Sequence, residues 1–158
     1  MPPVALRSTA GGMIDLANLT APRTVIYCYP MTGVPGKPLP EGWDLIPGAR
    51  GCTPQTCGFR DRYRELIELG AAVFGLSTQS SDYQREMAQR LDLPFAILSD
   101  AQFELCDALS LPTFEVDGMR LLKRLTLILR DGRIEEALYP VFPPDESAEQ
   151  VLRWLHEL

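Results

Sequence analysis

The chain has 158 residues, 46% hydrophobic and 23% charged, near globular averages, and its length suits one domain over residues 1–158 built on one core. Acidic residues outnumber Lys and Arg by 21 to 15, with no basic run to neutralise a row of phosphates, which argues against nucleic acid as a partner. Apolar stretches are broken by Arg, Lys or Asp well short of the ~20 residues of a membrane span, and the N-terminus MPPVALRSTAGGM lacks a secretory apolar segment; a soluble cytoplasmic protein is expected.

Residues 4–20 read as a hairpin: a short apolar run, the Gly11-Gly12 turn, then Met13-Ile14-Asp15-Leu16. Thr24–Tyr29, β-branched and aromatic throughout, reads as a buried strand containing Cys28. From Pro30 to Gly51 the chain interleaves Pro35, Pro38, Pro40 and Pro47 with Gly33, Gly36, Gly42 and Gly48, a long loop of the kind that tends to be functional, and Trp43, Leu45 and Ile46 are expected to pack it down. Thr53-Pro54 predicts a helix start, with Thr53 as N-cap and Pro54 first in the helix. That helix runs to about Leu69 on an apolar face of Phe59, Tyr63, Leu66, Ile67 and Leu69, and Gly70 ends it.

A buried strand follows at Ala71–Ser77, then a helix over about Asp82–Leu91, a short strand at Phe95–Leu98 and a helical turn or two near Gln102–Leu109. Met119–Leu129 reads as one strand, and Asp131-Gly132 as a hairpin turn into Ile134–Leu138. An amphipathic helix with Ala148, Val151, Leu152 and Leu155 on one face spans Asp145–Glu157. Strands alternating with helices and ending in a hairpin predict an α/β fold with a central mixed sheet flanked by helices.

Four cysteines are too few for a disulfide framework, and structural disulfides are rare in a reducing compartment, so a working cysteine here is catalytic or redox-sensing. Zinc is disfavoured because the one histidine, His156, stands at the far C-terminus and the cysteine spacing does not suit it; no metal or other cofactor is expected. Cys28 and Cys106 sit among apolar neighbours and read as core residues.

Cys52 is different. A thiol reacts as its anion, which the free N–H groups and the dipole of a helix start favour. Cys52 immediately precedes the Thr53-Pro54 signal, Gly51 lets backbone come close, and Arg50 lies two residues away. Cys57 follows one turn later, before Gly58. In an ideal helix, residues five apart have Cα atoms ~8.6 Å apart, beyond the ~7 Å that a disulfide bridges. The two sulfurs can join only if this turn unwinds, which Gly51 and Gly58 ease, an interior Gly costing a helix ~1 kcal/mol relative to Ala. The arrangement suits two shapes: a folded turn presenting Cys52 to an oxidant, and an unwound one in which Cys57 resolves the product.

The residues GCTPQTCGFRD resemble the active-site motif of the Q-type peroxiredoxins, also called bacterioferritin-comigratory proteins. The similarity extends through DLANL, the strand ending CYP, GFRDRYREL, VFGLST, LPFAILSD and RLTLILRDGRI, in order and approximate spacing. It implies a thioredoxin-like fold and reduction of hydrogen peroxide or an alkyl hydroperoxide by Cys52. Cys57 then closes an intramolecular disulfide that a thioredoxin-like donor reduces. Gly51 and Thr53 are candidate substrate contacts, and the protein is expected as a monomer or weak homodimer. The arginine that the family places on a late strand matches Arg124, which strand alternation sets with Leu122, Thr126 and Ile128, where a guanidinium needs an anionic partner; pairing with Glu115 or Asp117 is the alternative.

The family also carries a Thr three residues before the peroxidatic cysteine, and here that position is Ala49. Pro30-Met31-Thr32 resembles the upstream half of that motif, with roughly fifteen additional residues intervening, so that the loop at about 31–51 reads as an insertion and Thr32 as the candidate for the missing hydroxyl. The rival readings are a thiol-based redox sensor and a general thiol–disulfide oxidoreductase without fast peroxide turnover; the latter favours Cys-x-x-Cys.

Overall fold

The computed structural model describes residues 1–158. Along the chain come β1 (Ala5–Ser8), β2 (Met13–Asp15), β3 (Arg23–Cys28), α1 (Cys52–Asp61), α2 (Tyr63–Glu68), β4 (Ala71–Ser77), α3 (Ser81–Arg90), β5 (Ile97–Ser99), α4 (Glu104–Leu109), β6 (Thr113–Val116), β7 (Met119–Leu122), β8 (Leu125–Arg130), β9 (Arg133–Leu138) and α5 (Ser147–His156). Seven strands form one sheet in the order β2-β1-β5-β4-β3-β8-β9. The β3, β4 and β5 strands run parallel, as crossover helices require, while the flanking pairs are antiparallel. The β6 and β7 strands form a separate two-stranded hairpin.

Alternation along β3 sorts the interior into two halves. Val25 and Tyr27 face a core with Cys52 and Phe59 of α1, Leu66 of α2, Met87 of α3, and Val151 and Leu155 of α5. Ile26 and Cys28 face the other side, with Leu6, Leu98, Leu105, Cys106 and Leu127. A third, smaller cluster joins Met31, Trp43 and Ala49 of the long loop to Leu121 of β7, with Phe114 and Val116 of β6 packed against it. The loop therefore has a core of its own, and Trp43 pins it. Leu45 does not contribute, being 87% exposed, because its short 3-10 turn (Trp43–Leu45) directs only one apolar side chain inward. Ile46 is half-buried against the same cluster.

Other expectations are corrected. The single strand over Met119–Leu129 is two strands in different sheets, interrupted at Lys123 and Arg124. The break shifts the alternation, so Leu122 lies in the core opposite to that of Ile128. The hairpin partner β6 has no counterpart among the expected elements. The helix over 53–69 divides at Arg62, which leaves helical geometry at φ −102°, ψ 6° while its guanidinium reaches Glu65 and Glu149. Ile67 is exposed on the short helix that follows. The Asp131-Gly132 turn has positive φ at both positions, as a two-residue hairpin turn demands. No helix is long and apolar enough to cross a membrane.

The floor beneath α1 is an aromatic stack, Tyr27 on Phe59 with ring centroids 4.4 Å apart and 6° between planes. Gly75 of β4 makes room for it: a Cβ there would stand 2.6 Å from Ile97 Cδ1 and 2.9 Å from Tyr27 Cζ. Gly75→Ala is expected to cost about 1–3 kcal/mol through overpacking. Urea denaturation reads this as a lower midpoint at constant slope, and an unmoved midpoint would mean that the stack yields freely.

Candidate active site

The head of α1 is set by Gly51, whose φ of +101° and ψ of 14° turn the chain into the helix. No side chain caps this end. Cys52 is thus the first helical residue, and Thr53, expected as the N-cap, lies inside the first turn. Pro54 stands third, where its missing N–H would have lacked an intrahelical partner anyway. Gly51 is needed for a second reason: a Cβ there would meet Pro144 Cγ at 2.7 Å and Cβ at 2.9 Å, since the turn at Pro144–Glu146 packs directly on the helix start.

Cys52 is 4% exposed, and its Sγ lies 3.6 Å from the carbonyl oxygen of Ala49 and 3.4 Å from Arg124 Nη2. That same nitrogen approaches the carbonyls of Gly48 (3.1 Å), Ala49 (3.3 Å) and Arg50 (2.9 Å), four acceptors sharing two hydrogens. Arg124 Nη1 donates to Gln55 Oε1, whose amide donates to Ser147 Oγ at 3.3 Å, tying α1 to the start of α5. Arg124 is 3% exposed and pairs with neither Glu115 nor Asp117. Its partners are neutral oxygens and one thiol, so the sulfur alone among them can take up a negative charge. The break between β7 and β8 brings Arg124 here, whereas the expectation relied on an unbroken strand. The Arg50 side chain takes no part in this contact; it is exposed and faces Asp44 at 3.8 Å.

Above the sulfur lies a cavity of about 190 Å³, lined by Thr32, Trp43, Ala49, Gly51, Cys52 and Thr53 among others. The predicted contacts Thr32, Gly51 and Thr53 are thus brought together with Cys52, even though Thr32 is 20 positions away in sequence. Thr32 is 2% exposed, and its hydroxyl makes no hydrogen bond within the protein. Ala49 turns its carbonyl toward the sulfur, while its side chain belongs to the loop's own core.

Cys57 is half-buried in an unbroken α1, and both it and Cys52 are free thiols. The turn between them is well anchored: Gln55 and Thr56 are fully buried, and Tyr27 Oη donates to Thr56 Oγ1 at 3.2 Å. Gly58 allows the carbonyl of Asp145 to approach, at 3.4 Å from where a Cβ would be. Cys28 and Cys106 lie across the sheet, and burial pushes both thiols up, away from the anion, with Arg120 partly opposing this at Cys106. No group of three or more His, Cys, Asp or Glu side chains converges as a metal site would need.

Sequence reasoning missed Gln55 and Tyr83. The signal for Gln55 was an uncharged polar residue on the inward face of a helix, three positions after Cys52. Tyr83 sits in the first turn of α3 and sends its hydroxyl to the Thr32 carbonyl at 2.6 Å; nothing local in the sequence marks that contact.

A family profile described as Redoxin matches residues 1–152. Peroxiredoxin Bcp of Escherichia coli (strain K12) is 28% identical over 162 residues, covering 99% of this chain and 92% of that protein. Chloroplastic peroxiredoxin Q of Sedum lineare is 26% identical over 157 residues, covering 99% of this chain and 76% of that one. Among solved structures, peroxidoxin BcpB from Mycobacterium tuberculosis superposes with a TM-score of 0.78 at 24% identity, over 98% and 92% of the two chains. That likeness is one of fold, and it bears out the thioredoxin-like expectation. With the profile spanning nearly the whole chain and Q-type relatives aligned along it, the chain belongs to the Redoxin family as a Q-type peroxiredoxin.

Proposed function

We propose that Cys52 is the peroxidatic nucleophile of a thiol peroxidase, and that Arg124 and Thr32 complete its site. The observation that carries this reading is the contact between Arg124 Nη2 and Cys52 Sγ at 3.4 Å, in a buried setting with no carboxylate partner for the guanidinium. The Cys52 thiolate attacks the nearer peroxide oxygen, the O–O bond breaks, and the leaving oxygen takes a proton to depart as water or an alcohol. Cys52 is left as a sulfenic acid. Arg124 stabilises negative charge first on sulfur and then on the leaving oxygen, the usual task of a positioned cation. Thr32 supplies the hydroxyl that Ala49 lacks, orienting the peroxide in the cavity.

The turn from Cys52 to Cys57 then unwinds, the Cys57 thiolate attacks the sulfenic sulfur, and water leaves as the disulfide forms. A thioredoxin-like dithiol returns both sulfurs to thiols and leaves as a disulfide. Dependence on such a donor suits the cytoplasm, where thiols are kept reduced. The loop over 31–51 is an insertion that walls the entrance, since Thr32, Leu39, Trp43, Asp44 and Ala49 all line the cavity.

A second reading, a thiol-based redox sensor, draws on Ala49: without a hydroxyl at that position turnover would be slow. Single-turnover oxidation of the reduced protein by hydrogen peroxide decides between them. Thiol loss far faster than that of a free cysteine supports the peroxidase, and loss at the free-thiol rate supports the sensor.

Cys52→Ser is expected to abolish peroxide consumption, whereas Cys28→Ser and Cys106→Ser leave it intact. Mass spectrometry of the peroxide-treated wild type should find a Cys52–Cys57 bond; wild-type turnover by Cys52→Ser, or a bond from Cys52 to Cys28 or Cys106, contradicts the scheme. Arg124→Met is expected to slow Cys52 oxidation on the order of 10²-fold or more, the loss usual for one charge-stabilising donor. Stopped-flow measurement of an undiminished rate would return Arg124 to a purely structural role.

A further inference from the structure

If Thr32 provides the substrate hydroxyl, something must fix its position, because it stands at the mouth of a loop of more than fifteen residues rich in Pro and Gly. A loop of that composition does not hold a side chain by itself. Three hydrogen bonds reach the segment from α3 and the turn before it. Gln79 Nε2 donates to the Pro30 carbonyl at 2.9 Å, Tyr83 Oη to the Thr32 carbonyl at 2.6 Å, and Arg90 Nη2 to the Gly33 carbonyl at 3.2 Å. Only the Tyr83 bond falls on Thr32 itself.

We propose that Tyr83 is a positioning residue of the peroxidase site, its phenol clamping the Thr32 carbonyl so that the Thr32 hydroxyl is presented to a hydroperoxide over Cys52. The proposal rests on the Thr32 reading above and adds the group on which that reading depends. Threonine is branched at Cβ and stiff at χ1, so fixing its backbone restricts its hydroxyl to very few positions. The clamp is itself rigid. Tyr83 has two side-chain torsions, its backbone N–H is held by the N-cap Ser80 Oγ at 3.2 Å, and its ring packs against the cluster of Met31, Trp43, Ala49 and Leu121. Burial pushes the phenol up, and Glu86 and Cys52 add to this, so Tyr83 remains a protonated donor where peroxide is reduced. The hydroxyl lost at position 49 is thereby replaced by a pair from two other segments, Thr32 to touch substrate and Tyr83 to hold Thr32.

The test compares wild type, Tyr83→Phe, Thr32→Val and the double variant in two reactions of Cys52: oxidation by hydrogen peroxide and alkylation by iodoacetamide. Alkylation needs the thiolate and access to it but no substrate hydroxyl. Tyr83→Phe and Thr32→Val should each slow oxidation about 10- to 100-fold, the scale on which misplacing a reactant group acts. The double variant should be no slower than Thr32→Val, and all four proteins should alkylate at one rate. A normal oxidation rate in Thr32→Val overturns the Thr32 reading and this proposal with it. Slow Thr32→Val with normal Tyr83→Phe overturns the proposal alone. Equal loss of oxidation and alkylation in Tyr83→Phe assigns Tyr83 to folding, and additive losses in the double variant show that it acts elsewhere; either result also overturns the proposal.

Discussion

The buried guanidinium of Arg124 sets the terms for everything around it. A charge taken out of water costs several kcal/mol unless it is answered, and the chain answers this one with three carbonyls of residues 48–50, the amide oxygen of Gln55 and the Cys52 sulfur. No carboxylate is among them, and Arg124 Nε is buried without a partner. The electrostatic demand falls on the sulfur. Three remote segments meet at this point: the end of the long loop, the head of α1 and the break between β7 and β8. Each has an irregular geometry that the contact explains. Carbonyls at 48–50 turn inward because a donor waits for them, and the strand breaks at Lys123 and Arg124 because the arginine leaves the sheet pattern to reach them.

Much of this was legible in the sequence, for identifiable reasons. Alternation and turn chemistry located β3, β4 and the Asp131-Gly132 turn into β9 closely, since a buried strand and an Asp-Gly turn leave strong local marks. Gly, Thr and Pro around Cys52 announced a helix start, although Gly51 and not Thr53 makes the turn into it. The failures share a cause. An apolar run such as Met119–Leu129 looks continuous whether or not the chain changes sheet within it, so the break at Arg124 and the partner strand β6 were hidden in side-chain destinations that only tertiary structure assigns. Gln55 and Tyr83 make their contacts with residues 69 and 51 positions away. Such contacts carry no periodicity, and so no sequence pattern reveals them.

The long loop is more than a spacer. Trp43, Met31 and Ala49 bury themselves against Leu121, and Phe114 lies 6.3 Å from the Trp43 ring, so the loop and the β6–β7 hairpin form one packed wall beside the cavity. Ala49 has a place in that wall, where a methyl group packs and a hydroxyl would need a partner. Ala49 thus helps to seat the loop, and the loop in turn brings Thr32 to the cavity.

The seven-stranded sheet stands between Cys52 and the other two buried thiols, with Cys28 and Cys106 packed in the opposite core. Cys57 is therefore the cysteine left on the Cys52 side of the sheet to pair with it. On the scheme proposed above the molecule is a two-electron carrier with no internal reserve: with Cys52 and Cys57 joined, no thiol behind the sheet is placed to relay electrons to them, and the next peroxide waits on an outside dithiol. Its throughput in a cell is then governed by the supply of reducing equivalents, and the protein itself reports, by the fraction held as disulfide, the balance between oxidant and donor.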